Sequence, residues 1–74
     1  MSKLPGEISR KAFLQAMDRL GWHLLRVKGS HFQLGDPESP GVITVAIHAT
    51  ISRTAVRKTL KIARIDVDDF LRAL

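Results

Sequence analysis

The sequence predicts an α+β domain: a helix, three antiparallel strands, a second helix and a short C-terminal helix, with the helices on one face of the sheet. Apolar residues recur with a helical period after Ser9 and again after Ser52. Between them, three short runs of apolar and β-branched residues are separated by clusters of turn formers. With 74 residues, no internal repeat and no linker-like stretch, the chain reads as one domain spanning residues 1–74.

Ser9 is a good N-cap, because its hydroxyl can accept a hydrogen bond from an unpaired N–H of the first turn. Behind it Ala12, Phe13, Ala16, Met17 and Leu20 fall on one stripe, and Lys11, Gln15, Asp18 and Arg19 on the other. Gly21 supplies a left-handed stop. Residues 22–27 are apolar-rich and run into Lys28-Gly29-Ser30, a strand entering a turn, and residues 31–34 form the returning strand. The stretch 35–41, with Gly35, Asp36, Pro37, Pro40 and Gly41, is a loop. Residues 42–47 make the clearest strand, rich in β-branched side chains, and 48–51 read as a connector.

Ser52 caps a second helix over residues 53–63. At about 100° per residue, Val56, Leu60 and Ala63 share the side that meets the sheet, with Thr59 beside them, and Arg53, Arg57, Lys61 and Arg64 form a row on the flank. Asp66 caps a last short helix whose first turn holds Asp68 and Asp69, where the helix dipole favours acids. Val67, Phe70, Leu71 and Leu74 make that helix amphipathic.

The net charge of +5 points to a polyanionic partner, and its distribution strengthens the point. Between Arg19 and Gly35, and again between Ser39 and Ile65, every charged side chain is basic. The alternative is a solvated basic surface with no partner. No cysteine is available for a disulfide or a thiolate-bound metal, which fits a reducing compartment. The start, Met1-Ser2-Lys3-Leu4-Pro5-Gly6, lacks the apolar stretch of a signal peptide, and no run is long enough to span a membrane. These observations predict a cytoplasmic protein with no membrane association.

The run Arg26-Val27-Lys28-Gly29-Ser30-His31 sets an imidazole beside two cations and a glycine turn. Histidine suits proton transfer near neutral pH, so the run is a candidate site for chemistry on an anionic polymer. Strand alternation leaves open whether Arg26 and Lys28 share a face with His31. From the residues alone, His31 is either a proton-transfer group or an ordinary strand residue beside a turn. His48 either shares in proton transfer, contacts phosphate or ends the third strand, and His23 reads as a surface or edge-strand residue. The three histidines lack short ligand spacing and a nearby acid, so the sequence predicts no metal site.

The strand–turn–strand around Gly29-Ser30-His31 resembles the HicA (YcfA-like) family of bacterial and archaeal toxins. Leu20-Gly21-Trp22 sits where that family has a leucine, a glycine and an aromatic after its first helix. Residues 26–31 fit its arginine-x-lysine-glycine-serine-histidine segment. Ile43-Thr44-Val45-Ala46-Ile47-His48 fits its isoleucine-threonine-valine-proline-x-histidine strand. Val56-Arg57-Lys58-Thr59-Leu60-Lys61 and Asp69-Phe70-Leu71 match its C-terminal helical pattern. Two positions depart from the pattern. Ala46 replaces the proline before the second histidine, which bears on the end of the third strand and the placement of His48. Arg64 stands where a glycine commonly follows the second helix, which bears on the helix exit.

The resemblance implies a fold like the double-stranded RNA-binding domain and the toxin of a type II toxin–antitoxin system, a metal-independent endoribonuclease that cleaves mRNA. RNA can be cut without metal, because its own 2′-hydroxyl attacks the neighbouring phosphorus once a proton acceptor, a proton donor and cations are in place. The family's catalytic histidine corresponds to His31. Arg26, Lys28, Gly29, Ser30, His48, Arg53, Arg57 and Lys61 are then expected to contact RNA, with no cofactor. The resemblance implies two partners, an mRNA substrate and a HicB-like antitoxin that covers the site, and no DNA binding by this chain alone. The alternatives are a non-catalytic RNA-binding module that uses the same surface, and an interaction subunit whose basic face binds only protein.

Overall fold

Capping, glycine turns and apolar periodicity act in the order the sequence suggests. The computed structural model describes residues 3–74; Met1 and Ser2, where the N-terminal segment read above begins, lie outside the described residues. The elements are β1 (Glu7–Ser9), α1 (Arg10–Arg19), β2 (His23–Lys28), β3 (His31–Gly35), β4 (Ile43–Ala46), β5 (Thr50–Ser52), α2 (Arg53–Ala63) and α3 (Val67–Ala73). β2, β3 and β4 form an antiparallel sheet in that order, with β3 central, and β1 pairs with β5 in a separate two-stranded ribbon. The chain is therefore α+β, and its helix–three-strand–helix order with a short last helix is the predicted one.

Ser9 caps α1 by accepting the Ala12 N–H at 3.1 Å. Phe13, Ala16 and Met17 are buried beneath the helix. It ends as a Schellman motif: Gly21 takes φ +96°, its N–H donates to the Asp18 carbonyl, and the Trp22 N–H donates to the Met17 carbonyl. That turn buries the Trp22 indole in the core, so β2 starts one residue later than the apolar run. At the other end of the sheet Val42 is exposed and lies outside β4, while Gly35 belongs to β3.

The pairing of β1 with β5 is absent from the sequence reading, which takes residues 48–51 as a connector. Ile8 stands opposite Ile51, and both are buried. Three-residue strands are too short to show a period of two. Their pairing also joins positions more than forty residues apart, so no local signal marks them. The ribbon ties the N-terminal segment to the start of α2: the Arg53 N–H donates to the Gly6 carbonyl at 2.9 Å and the Arg10 N–H to the Ala49 carbonyl at 3.0 Å.

Both long helices lie on one face of the three-stranded sheet. α1 packs beside β2 and α2 beside β4. Phe13, Met17, Leu34, Ile43, Val45, Val56 and Leu60 belong to one apolar cluster. α3 closes it from below with Phe70, which is fully buried, its ring centroid 6.0 Å from that of Phe13 and tilted by 48°. Arg19 fastens the same helix by donating to the Ala73 carbonyl at 2.5 Å.

Arg64 takes the left-handed conformation that a glycine would supply, with φ 57° and ψ 42°. Its N–H donates to the Lys61 carbonyl and the Ile65 N–H to the Leu60 carbonyl, the same motif that ends α1. The helix exit is thus that of a glycine stop built with an arginine. An L-residue there is strained by roughly 1–2 kcal/mol, against about 0.5–1 kcal/mol of extra chain entropy for glycine. Arg64→Gly is accordingly expected to raise stability by about 0.5–1 kcal/mol in urea denaturation; a loss of stability would show that the arginine side chain anchors the exit.

Candidate active site

β3 sorts its side chains by alternation. Phe32 and Leu34 are buried, whereas His31 is exposed and Gln33 half-buried on the opposite, helix-free face. In the ladder Lys28 stands opposite His31 from one side and Ala46 from the other, and Arg26 stands opposite Gln33. Directly paired residues point to the same face. Both cations of the hairpin therefore share the face of His31, which answers the question that alternation left open. Arg26 is held in place there, its Nε donating to Gln33 Oε1 at 2.5 Å.

The hairpin loop is two residues long. Only its first residue, Gly29, has a positive φ, +59°, the pattern of a type II′ turn that matches the twist of the flanking strands. A Cβ on Gly29 would meet nothing within 4 Å, so the glycine is required by backbone conformation rather than by space. The next carbonyl, that of Ser30, accepts the Ile47 N–H at 2.8 Å. This bond carries the β3–β4 register one step past the last paired residues and fixes the turn to the segment leading into His48.

His48 is exposed and lines an open cleft of about 390 Å³ with Glu7, Ala46, Thr50, Ser52 and Ala55. Within it Thr50 Oγ1 donates to Glu7 Oε2 at 3.2 Å. Arg53 opens α2 and turns back to the N-terminal segment, its Nε donating to the Pro5 carbonyl at 3.3 Å. Arg57 and Lys61 are exposed further along α2. On the other flank of that helix, Ala55 and Ile62 line clefts, the first of them shared with β4. Arg57 and Lys61 therefore lie on the helix layer, on the flank away from β4 and not on the His31 face, whereas Arg64 borders the cleft of Ile62.

The structure thus brings Arg26, Lys28, Gly29, Ser30 and His31 together, leaves His48 in the cleft between β4 and α2, turns Arg53 back to the N-terminal segment, and sets Arg57 and Lys61 apart. His23 pairs with the Asp18 carboxylate at the far end of β2, opposite Gly35. Two polar residues on the His31 face, Gln33 and Thr44, were missed in the sequence. Gln33 lies two residues after His31, so strand alternation alone could have found it.

Ala46 stands where the family pattern has proline, and the ladder explains why the change leaves the strand intact. Because Ile47 donates to Ser30, alternate residues of β4 bond toward β3, and the Ala46 N–H points to the open edge of the sheet. Proline is tolerated where the N–H faces outward from an edge strand. Ala46→Pro is expected to change stability by no more than about 1 kcal/mol in urea denaturation. A loss of roughly 3 kcal/mol would mean that this N–H is bonded after all.

Among the described residues no helix is long and apolar enough to cross a membrane. No match was found among curated proteins, and none among solved structures. Residues 10–65, from the start of α1 to just past the end of α2, match the family model described as the HicA toxin of bacterial toxin–antitoxin. That stretch holds the hairpin, its turn and the strand leading to His48, and membership implies an antitoxin as partner. The chain belongs to the HicA toxin family.

Proposed function

We propose that this chain is the endoribonuclease toxin of a type II toxin–antitoxin pair, cleaving single-stranded mRNA in the cytoplasm through His31 and without a metal ion. The observation that carries the reading is the sharing of one exposed sheet face by His31, Lys28 and Arg26, beside a turn pinned by the Ile47–Ser30 hydrogen bond. A free imidazole and two cations on an open surface suit a polyanionic chain that must be laid across them. The proposal takes residues 1–74 as one domain with a surface like that of double-stranded RNA-binding folds.

In this reading His31 exchanges a proton with the reacting ribose phosphate. Lys28, across the ladder from it, offsets the negative charge that builds on the phosphorane. Arg26, oriented by Gln33, contacts a neighbouring phosphate. Gly29 leaves the turn without a side chain where the backbone of RNA approaches, and the Ser30 hydroxyl donates to phosphate oxygen. His48 extends the contact toward the cleft between β4 and α2, and Arg53 meets the strand where α2 begins beside the N-terminal segment. Arg57 and Lys61 meet a more distant stretch of the same strand on the helix layer. A HicB-like antitoxin inhibits by covering the His31 face, and the chain alone does not bind DNA.

The test is cleavage of an RNA substrate by purified protein in excess EDTA, comparing wild type with His31→Ala. Since His31 is exposed, the variant keeps its fold, which circular dichroism checks. Wild type is expected to cleave in the chelator, and His31→Ala to lose about 10²–10⁴-fold in rate. Full cleavage by the variant would remove His31 from the reaction. Binding without cleavage by wild type would instead make the chain an RNA-binding module.

A further inference from the structure

We infer that His48 is the second proton-transfer group of this reaction, delivering a proton to the departing 5′-oxygen while His31 accepts the proton of the 2′-hydroxyl. The inference rests on the endoribonuclease reading. Attack by the 2′-oxygen forms the O2′–P bond and breaks the P–O5′ bond opposite to it. A base and an acid are therefore needed at two separated oxygens within one step, and a single imidazole cannot stand at both.

The register supplies the second one. His31 pairs with Ala46, and the Ile47–Ser30 hydrogen bond at 2.8 Å continues the ladder one residue further. His48 follows just beyond β4, two residues past Ala46, the direct partner of His31. His48 and Ala46 line one cleft, so Ala46, paired with His31, links the two histidines at the sheet edge.

The surroundings fit an acid at the leaving group. His48 lines the open cleft beside Ala46, where the nucleoside on the 5′-oxygen side has room to sit and depart, whereas His31 lies on the open sheet face beside Lys28. Other groups are engaged elsewhere. His23 pairs with Asp18 at the far end of β2, Arg26 holds Gln33, and the Glu7 carboxylate in the cleft accepts from Thr50.

The step balances without any co-reactant. One proton leaves the 2′-hydroxyl for His31, and one passes from the His48 imidazolium to the 5′-oxygen. The products are a 2′,3′-cyclic phosphate and a 5′-hydroxyl, and the two rings reset by exchange with water.

The experiment uses the full chain and an RNA oligonucleotide that wild type cleaves at one mapped bond, made with either oxygen or sulfur as the bridging 5′ atom. A thiolate leaves without protonation, so the sulfur substrate does not need the acid. His48→Ala is expected to lose at least about 100-fold on the oxygen substrate and to return to within about tenfold of wild type on the sulfur one. His31→Ala is expected to stay slow on both. Wild-type rates for His48→Ala on oxygen, or an equal loss on both substrates, would overturn the assignment while leaving the role of His31 intact. Failure of wild type to cleave any RNA would instead overturn the reading on which it rests.

Discussion

The register of β3 is the constraint on which the rest of the structure depends. This strand is central in its sheet, and every second side chain, Phe32 and Leu34, sits in the core. Burying two such side chains contributes about 1.5–3 kcal/mol each. A slip of one residue would expose both and force His31 and Gln33 inward, where an unpaired imidazole is costly. The outward direction of His31 is therefore decided by apolar packing on the other face of the same strand. The two-residue turn at Gly29 and the bond between Ile47 and Ser30 hold that register from either side.

The same arrangement divides the positive charge of the chain. Lys28 and Arg26 accompany His31 because the hairpin pairs them with it and with Gln33. Arg57 and Lys61 belong to the helix layer, since Val56 and Leu60 direct α2 onto the sheet and leave these two cations on the flank facing away from β4. In the proposed reaction this separates two tasks. The sheet face does the chemistry with a minimal set of cations, and the helix layer adds affinity without touching the scissile bond.

Much of the fold could be read from the chain. Ser9, Ser52 and Asp66 each act as an N-cap, and Gly21 stops the first helix as its position suggests. The β1–β5 ribbon could not be read, because its strands are three residues long and pair positions more than forty residues apart. For the site, the short hairpin made the nearness of Lys28 and His31 readable. The position of His48 relative to the hairpin depends on how the loop between Gly35 and Ile43 sets the β3–β4 register, which no local pattern specifies. Helical angles likewise put Arg57 and Lys61 on one exposed flank of α2, but angles within a helix do not say what that flank faces, nor that Arg53 turns back to the N-terminal segment and Arg64 borders the cleft of Ile62. Of the two departures from the family pattern, Arg64 adopts the glycine conformation at some strain, and Ala46 sits where the ladder asks nothing of its N–H.

The claim at the centre is that RNA supplies its own nucleophile on the His31 face. The most direct measurement maps the ends left by cleavage of an oligonucleotide and repeats the reaction with a single 2′-O-methyl group at the scissile ribose. The account predicts a 2′,3′-cyclic phosphate and a 5′-hydroxyl, with cleavage at that bond abolished by the methyl group. A 3′-hydroxyl with a 5′-phosphate, or undiminished cleavage of the methylated bond, would contradict it.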